Sequence, residues 1–399
     1  MIPRLKANLT IRDVLAALSF WKKNSVQEFE LQFSKLAGTK HSLAFPYGRT
    51  GLVAILNAMC LEGKEIICPA YTCVVVPHAI VTAGCQPVFV DSQESDFNMD
   101  WDYVEAAVNV NTAAVIATSI FGNPINLDAL DQFRKKHPEI HIIQDCAHSF
   151  FAQWNGRFVH EAGDVAFYGL NISKVITSIF GGMVTINDDE LAKKILKFRT
   201  KLLRPTSSIK PYYRMVYLLV VIIAFLKPVY WLVNRIERTG LINRFVRYFD
   251  ETKIDMPSDY CDQLTGVEAR VGMVQIDKYL DIIVHRKALA EIYTTHLLNV
   301  GSIKLPPQIE GATYSHYVIR SRFANKIIKI MINNNIQLGE LIDYHIPDMP
   351  VYSGFKYFGR KRASEWPGNV INLPVHIGCS VKDAYRICNI LRDFDSDIS

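Results

Sequence analysis

Short apolar runs and amphipathic helical segments alternate from residue 50 to residue 188, and few folds accept that rhythm. EIICPA, QPVFVD, AAVIATSIF and IHIIQDCA have strand character, while TGLVAILNAMCL, PHAIVTAG, DWDYVEAAV and NLDALDQFRKKH lie between them with helical spacing. A strand that is apolar on both sides must be covered on both sides, and a helix after each strand supplies that cover in a mainly parallel sheet. DVAFYG and GGMVTIND predict two more strands. Upstream, SVQEFELQFSKLAG predicts a helix with Phe29, Phe33 and Leu36 on one face and a stop at Gly38.

Downstream, a helix predicted from Gly266 leads to strand character at TYSHYVIRS, a helix at FANKIIKIMINNN and a last helix from Val381. With 399 residues, 49% of them apolar and 21% charged, the chain can bury more than one core and is not a disordered polymer. The expected organisation is an N-terminal segment and large α/β domain over 1–204, an insertion over 205–256, and a linking helix with a smaller α+β domain over 257–399. Eight cysteines with no CxxC pair and no histidine at finger spacing predict reduced thiols in a cytoplasmic setting and no metal site. The apolar run near the N-terminus is short and broken by Arg12 and Asp13, unlike a secretory signal.

In open α/β sheets, ligands sit at the carboxyl ends of strands, and three polar features fall at such ends. YGRTG, residues 47–51, opens a helix, and a helix start with small residues offers backbone N–H groups to an anion. IIQDCAHS ends a strand on Asp145 and places His148 three residues later. Lys174 lies between two apolar segments, ahead of the pair Gly181–Gly182. Each alone reads as an ordinary helix start, a loop aspartate, a structural histidine or a surface lysine. Together, in this order, they suit pyridoxal 5'-phosphate, which needs an amine, a phosphate cradle and a carboxylate to keep its ring nitrogen protonated. A lysine buried beside a cofactor loses its proton more readily, which makes it a nucleophile.

The chain resembles the DegT/DnrJ/StrS family of nucleotide-sugar aminotransferases, of the fold-type-I pyridoxal-phosphate architecture. The resemblance covers about 25–200 and 256–395 and rests on EFELQFSKLAGTKHSLAFPYGRTGL, CPAYTCVVVPHAIVTAGCQPVFVD, IFGNPINLDAL, QDCAHSFFAQWNGR, the lysine stretch and INLPVH. It implies that Lys174 is the Schiff-base lysine, Asp145 the partner of the pyridine nitrogen and His148 a neighbour of the cofactor's phenolic oxygen. It further implies that Gly48, Arg49 and Thr50 form the phosphate-side loop. A homodimer, a keto-sugar substrate and an amino acid donor, glutamate, follow from the same resemblance. Several positions depart from the family pattern. Cys73 stands where an aromatic stacks on the cofactor ring, with Tyr71 nearby to compensate. Gly169 replaces a phosphate-binding serine, Cys261 an asparagine supplied by the neighbouring subunit, and Phe180 the acidic residue before the glycine pair. In the sugar dehydratases of this fold the lysine is a histidine, so Lys174 favours amino transfer. A non-catalytic membrane-associated relative is the other alternative.

Residues 205–256 fit none of this. Met215–Leu226 is an unbroken apolar run, too short to span a bilayer cleanly, and Pro228 predicts a kink after it. Further on, Arg244 and Arg247 lie opposite Leu241, Ile242, Phe245 and Phe249, the pattern of an interfacial helix. From Arg199 to Lys253 there are eleven Lys/Arg and three Asp/Glu, a net of +8, which leaves the rest of the chain at −3. Such a local excess predicts one anionic partner, not nucleic acid. The expectation is peripheral contact with the inner face of a membrane through 205–256, with subunit packing as the alternative.

Overall fold

A computed structural model describes residues 1–238, 250–360 and 362–398. The expected interfacial stretch with Arg244 and Arg247 lies outside the described residues. In chain order the described elements of the N-terminal half are α1 (Ile11–Leu18), α2 (Ser25–Ala37), β1 (His41–Phe45), α3 (Gly48–Ala58), β2 (Glu65–Pro69), α4 (Val75–Thr82), β3 (Gln86–Val90), α5 (Trp101–Ala107), β4 (Thr112–Thr118), α6 (Leu127–Lys136), β5 (His141–Asp145), β6 (Gln153–Trp154), β7 (Arg157–Phe158), β8 (Val165–Gly169) and β9 (Gly182–Ile186). They are followed by α7 (Asp189–Leu202), α8 (Lys210–Ala224), α9 (Lys227–Arg238), α10 (Gly266–Asp277), α11 (Tyr279–Leu297), β10 (Tyr317–Arg320), α12 (Ala324–Asn333), β11 (Tyr357–Phe358), β12 (Val370–Leu373) and α13 (Val381–Ile398).

Eight strands form one sheet in the order β1-β9-β8-β5-β4-β2-β3-β11. The pairs from β8 through β11 are parallel, and β9 runs antiparallel to both β1 and β8. Alternate residues of each strand enter opposite cores. Ile67, Val88, Val115 and Ile142 pack with α2, α5 and α6 residues on one face. Ile66, Phe89, Ile116 and Ile143 pack with α3 and α4 residues on the other. This is the two-faced cover that strands apolar on both sides demand.

Two boundaries differ from the sequence reading. The strand predicted over 113–121 ends at Thr118, because Phe121 (φ 58°) and Gly122 (φ 91°) turn the chain left-handed. The long helix from Gly266 breaks at Lys278, whose ammonium bonds to the Asn8 carbonyl, Thr10 and Asp13. Pro228 indeed lies at a kink: α8 and α9 meet at 101°, and among the described residues no single helix is long and apolar enough to cross a membrane. A third core gathers α11, α12, α13, β10 and β12. Chain order and packing part company twice: Ile2 bridges to Ile336, and β11 joins the large sheet beside β3.

Candidate active site

The carboxyl ends of the neighbouring strands β2, β4, β5 and β8 bring the polar candidates together. Asp145 closes β5 and is 4% exposed. Its Oδ1 accepts the Ala147 N–H at 3.0 Å, and Thr118 Oγ1 stands 3.5 Å from Oδ2. Burial raises its pKa, opposed by the Ala147 bond and the nearby Lys174 charge. Lys174 sits on a loop that closes on itself: its N–H bonds to the Asn171 carbonyl, and Thr177 Oγ1 and Ser178 N–H both bond to Leu170. The Lys174 side chain is half-buried, and burial lowers its pKa against the opposing pull of Cys73 and Asp145. A Cβ on Gly169 would lie 3.4 Å from Lys174 Cε, so the lysine stem runs along that glycine.

His148 is fixed from behind. The Phe121 N–H donates to its Nδ1 at 3.3 Å, and the two rings stack at 5.9 Å. An imidazole whose Nδ1 accepts must carry its proton on Nε2, since burial, Lys174 and His316 keep it neutral. His316, which the sequence reading did not single out, stands 5.0 Å from His148 across the cleft, with Ser315 Oγ at 3.1 Å from its Nδ1. Burial, Lys174 and Arg286 push its pKa down to about 3. The placement comes from a clasp between loops: Thr313 N–H bonds to Gly122 O at 3.0 Å and His316 N–H to Phe121 O at 3.2 Å. Gly122 is needed there, because a Cβ would come within 2.7 Å of the Tyr314 and Ser315 nitrogens. No local sequence signal joins residues so far apart.

The anion end lies at the start of α3. The N–H groups of Thr50 and Gly51 return to the Tyr47 carbonyl, and the first helical N–H groups, those of Gly48 and Arg49, have no intrahelical acceptor. A Cβ on Gly182 would sit 2.3 Å from Gly48 N, so the glycine pair after the lysine lets β9 pass directly beneath this helix start. Thr50 Oγ1 donates to the Tyr260 carbonyl at 3.0 Å, and Tyr47 Oη to Asp259 at 2.6 Å. The segment around Cys261 therefore rests on the chain's own α3. Tyr71 is fully buried, its ring edge-on to Trp366 at 4.8 Å and its hydroxyl on the Leu341 carbonyl at 3.2 Å. Cys73 lies close enough to Lys174 to act on its charge.

The basic insertion is wired inward. Arg214 of α8 bonds to Asp259 at 2.7 Å and to the fully buried Glu268 at 3.0 Å, and lies 4.1 Å above the Phe180 ring. Lys210 reaches Asp259 at 3.0 Å; Arg199 pairs with Glu30, and Arg204 with Asp262. Four cations of the +8 segment thus have carboxylate partners that the count over residues 199–253 leaves out. The local excess is in good part internal structure.

A half-buried amine, a carboxylate at the next strand end and a helix start held clear by glycine have the donor chemistry that pyridoxal phosphate requires, on the sheet geometry of a fold-type-I enzyme. The chain belongs to the DegT/DnrJ/EryC1/StrS aminotransferase family, whose profile matches residues 5–218 and 232–392. It is a pyridoxal-phosphate-dependent sugar aminotransferase. GDP-perosamine synthase of Escherichia coli O157:H7 is 24% identical over 379 residues, 94% of this chain and 92% of that protein. A pleiotropic regulatory protein of Geobacillus stearothermophilus is 32% identical over 184 residues, 46% of this chain and 49% of that one. Among solved structures, Helicobacter pylori PseC, an aminotransferase involved in the biosynthesis of pseudoaminic acid, superposes with a TM-score of 0.78 at 18% identity over 99% of both chains. A family member from Brucella abortus gives 0.77 at 19% identity over 96% of both.

Proposed function

We propose that the enzyme converts a nucleotide-linked keto-sugar to an amino-sugar, with glutamate as donor, for cell-surface polysaccharide or glycolipid synthesis. It would work as a homodimer and as a peripheral protein on the cytoplasmic face of a membrane. The observation that carries the chemistry is the shared cleft of Lys174, Asp145, His148 and the α3 start. Pyridoxal phosphate, when bound, supplies the electron sink for a carbanion at the donor or sugar carbon. In this reading Lys174 holds the cofactor and then moves a proton between the donor α-carbon and the cofactor's C4′. Its lowered pKa frees the amine for both tasks. Asp145 keeps the ring nitrogen protonated, and His148 presents its Nε2–H to the phenolic oxygen. Gly48, Arg49 and Thr50 form the phosphate side, the two N–H groups at the helix start and Arg49 standing in for the anchors lost at Gly169 and Cys261. Cys73, beside Lys174, takes the place of the ring-stacking aromatic, and Tyr71 shapes the wall behind it.

A lipid-borne sugar is the second reading, favoured by the apolar surface of α8 described below. The test uses the purified, cofactor-loaded enzyme. Glutamate alone should bleach the visible cofactor band and release one 2-oxoglutarate per site, and a nucleotide-linked keto-sugar should restore the band. Bleaching by glutamate with restoration only by a lipid-linked sugar would select the second reading. No bleaching by any amino acid donor would remove the aminotransferase assignment of this site.

A further inference from the structure

Helices on a protein surface face their polar side to water, and two helices here do the reverse. On α8, Lys210, Arg214, Met215 and Leu218 point inward, the two cations onto Asp259 and Glu268. The outward stripe is Ile209, Tyr213, Val216, Val220 and Ile223, every one more than half exposed. On α1 the buried Asp13 points inward to Lys278 and Gln275, while Ile11, Leu15 and Leu18 face out at 69%, 58% and 44% exposure. The two helices pack together, with Phe20 and Tyr212 rings 6.4 Å apart. Their outward stripes make one apolar face of the kind that seldom stands free on a soluble monomer.

We propose that α1 and α8 together form the surface by which the protein docks in the interfacial layer of a lipid bilayer. The proposal rests on the peripheral-membrane reading above and adds the N-terminal helix as its second half. Four observations select lipid as the occupant. Trp21 and Trp231 stand exposed beside the stripes, where a headgroup layer favours indole rings. Exposed Lys22, Lys23 and Arg235 border them, and neither 14–27 nor 205–236 contains a carboxylate. A two-fold contact between copies of this face would bring together two surfaces that carry cations and, over these residues, no carboxylate to pair them. The α8–α9 pair, bent by 101°, has together the length and apolar composition of a broken span or re-entrant loop. Finally, the family match stops at 218 and resumes at 232, so the end of α8 and the bend into α9 lie outside the matched residues.

The experiment is flotation of the full-length, cofactor-loaded protein with vesicles of phosphatidylethanolamine and phosphatidylglycerol, and of phosphatidylcholine, at low and high salt. Because the α8 cations face inward while Lys22, Lys23 and Arg235 stay exposed, binding should persist on neutral vesicles and in salt, and be stronger on the anionic vesicles at low salt. Leu15→Asn/Leu18→Asn and Val216→Asn/Val220→Asn should each lower the floated fraction at least tenfold while keeping the cofactor band and the oligomeric state. Brominated lipid should quench the tryptophan emission of the wild type, and less so that of Trp21→Phe, a readout independent of how the asparagine variants fold. If the wild type stays out of the lipid fraction, the membrane reading falls and this proposal with it. If only the α8 variant loses flotation, the membrane reading survives and the composite surface is wrong. If the asparagine variants dissociate the oligomer with flotation unchanged, the face is a subunit contact.

Discussion

Arg214→Met isolates the contact that ties α8 to the catalytic half of the molecule. Methionine fills much of the arginine stem's volume but removes the guanidinium that faces Asp259 and the fully buried Glu268. Burial already raises the Glu268 pKa, and Arg214 is the largest influence opposing it. Removing one partner of a buried pair costs about 3–5 kcal/mol, because the other charge is left without compensation. Against a typical stability of about 5–15 kcal/mol this is large. The pH dependence follows from linkage. With its folded pKa pushed further above the unfolded value, Glu268 in the variant binds more protons folded than unfolded, so stability falls as pH rises from the unfolded pKa through the folded one. The deficit should therefore be smallest in mild acid and full at neutral pH. Glu268→Gln in the same chain removes the stranded charge and should restore much of the loss, a coupling of at least about 1 kcal/mol in a double-mutant cycle. The assay is equilibrium unfolding in guanidinium chloride at two pH values. An Arg214→Met protein within about 1 kcal/mol of wild type, with no recovery from Glu268→Gln, would refute the reasoning.

Lys174→Ala should abolish borohydride-reducible attachment of the cofactor and all amino transfer, as read by peptide mass mapping; reduction onto another lysine would exclude the assignment. Asp145→Asn keeps the shape but not the charge that holds the ring nitrogen's proton, and should slow turnover at least about a hundredfold, measured in steady state with glutamate. Gly182→Ala places a methyl 2.3 Å from Gly48 N, a backbone atom that cannot swing aside, and should destabilise the fold by about 1–3 kcal/mol and weaken cofactor retention on dialysis.

The parallel sheet was legible because its strands are apolar on both faces, and Lys174, Asp145 and the α3 start because each falls at the end of such a strand. These are local patterns with a fixed physical meaning. What escaped the sequence reading depends on contacts between distant segments. The break at Lys278 answers to Asn8, Thr10 and Asp13, more than 250 positions away. His316 enters the cleft through a clasp on Phe121 and Gly122, and nothing near it in sequence marks it. The +8 segment misled in an instructive way: counting charge within a window assumes that it faces outward, whereas Arg214 and Lys210 look inward to carboxylates beyond the window. The apolar run itself was read correctly as a run, but only the fold decides which of its faces meets solvent.

The clasp of Thr313 and His316 on the Phe121–Gly122 turn also sets an order of assembly during synthesis. Of the residues gathered here, Lys174 and Asp145 leave the ribosome well before His316, with 142 residues still to be added after Lys174 before His316 is in the chain. At about 5–20 residues per second that interval is about 7–30 s. Throughout it the lysine loop stands at the end of an exposed sheet with one wall of its cleft not yet made. Cofactor captured early would be held without the histidine pair and open to water, so durable loading belongs to the completed polypeptide. Nascent chains stalled before residue 316 should contain the large sheet apart from β11 yet release the cofactor readily.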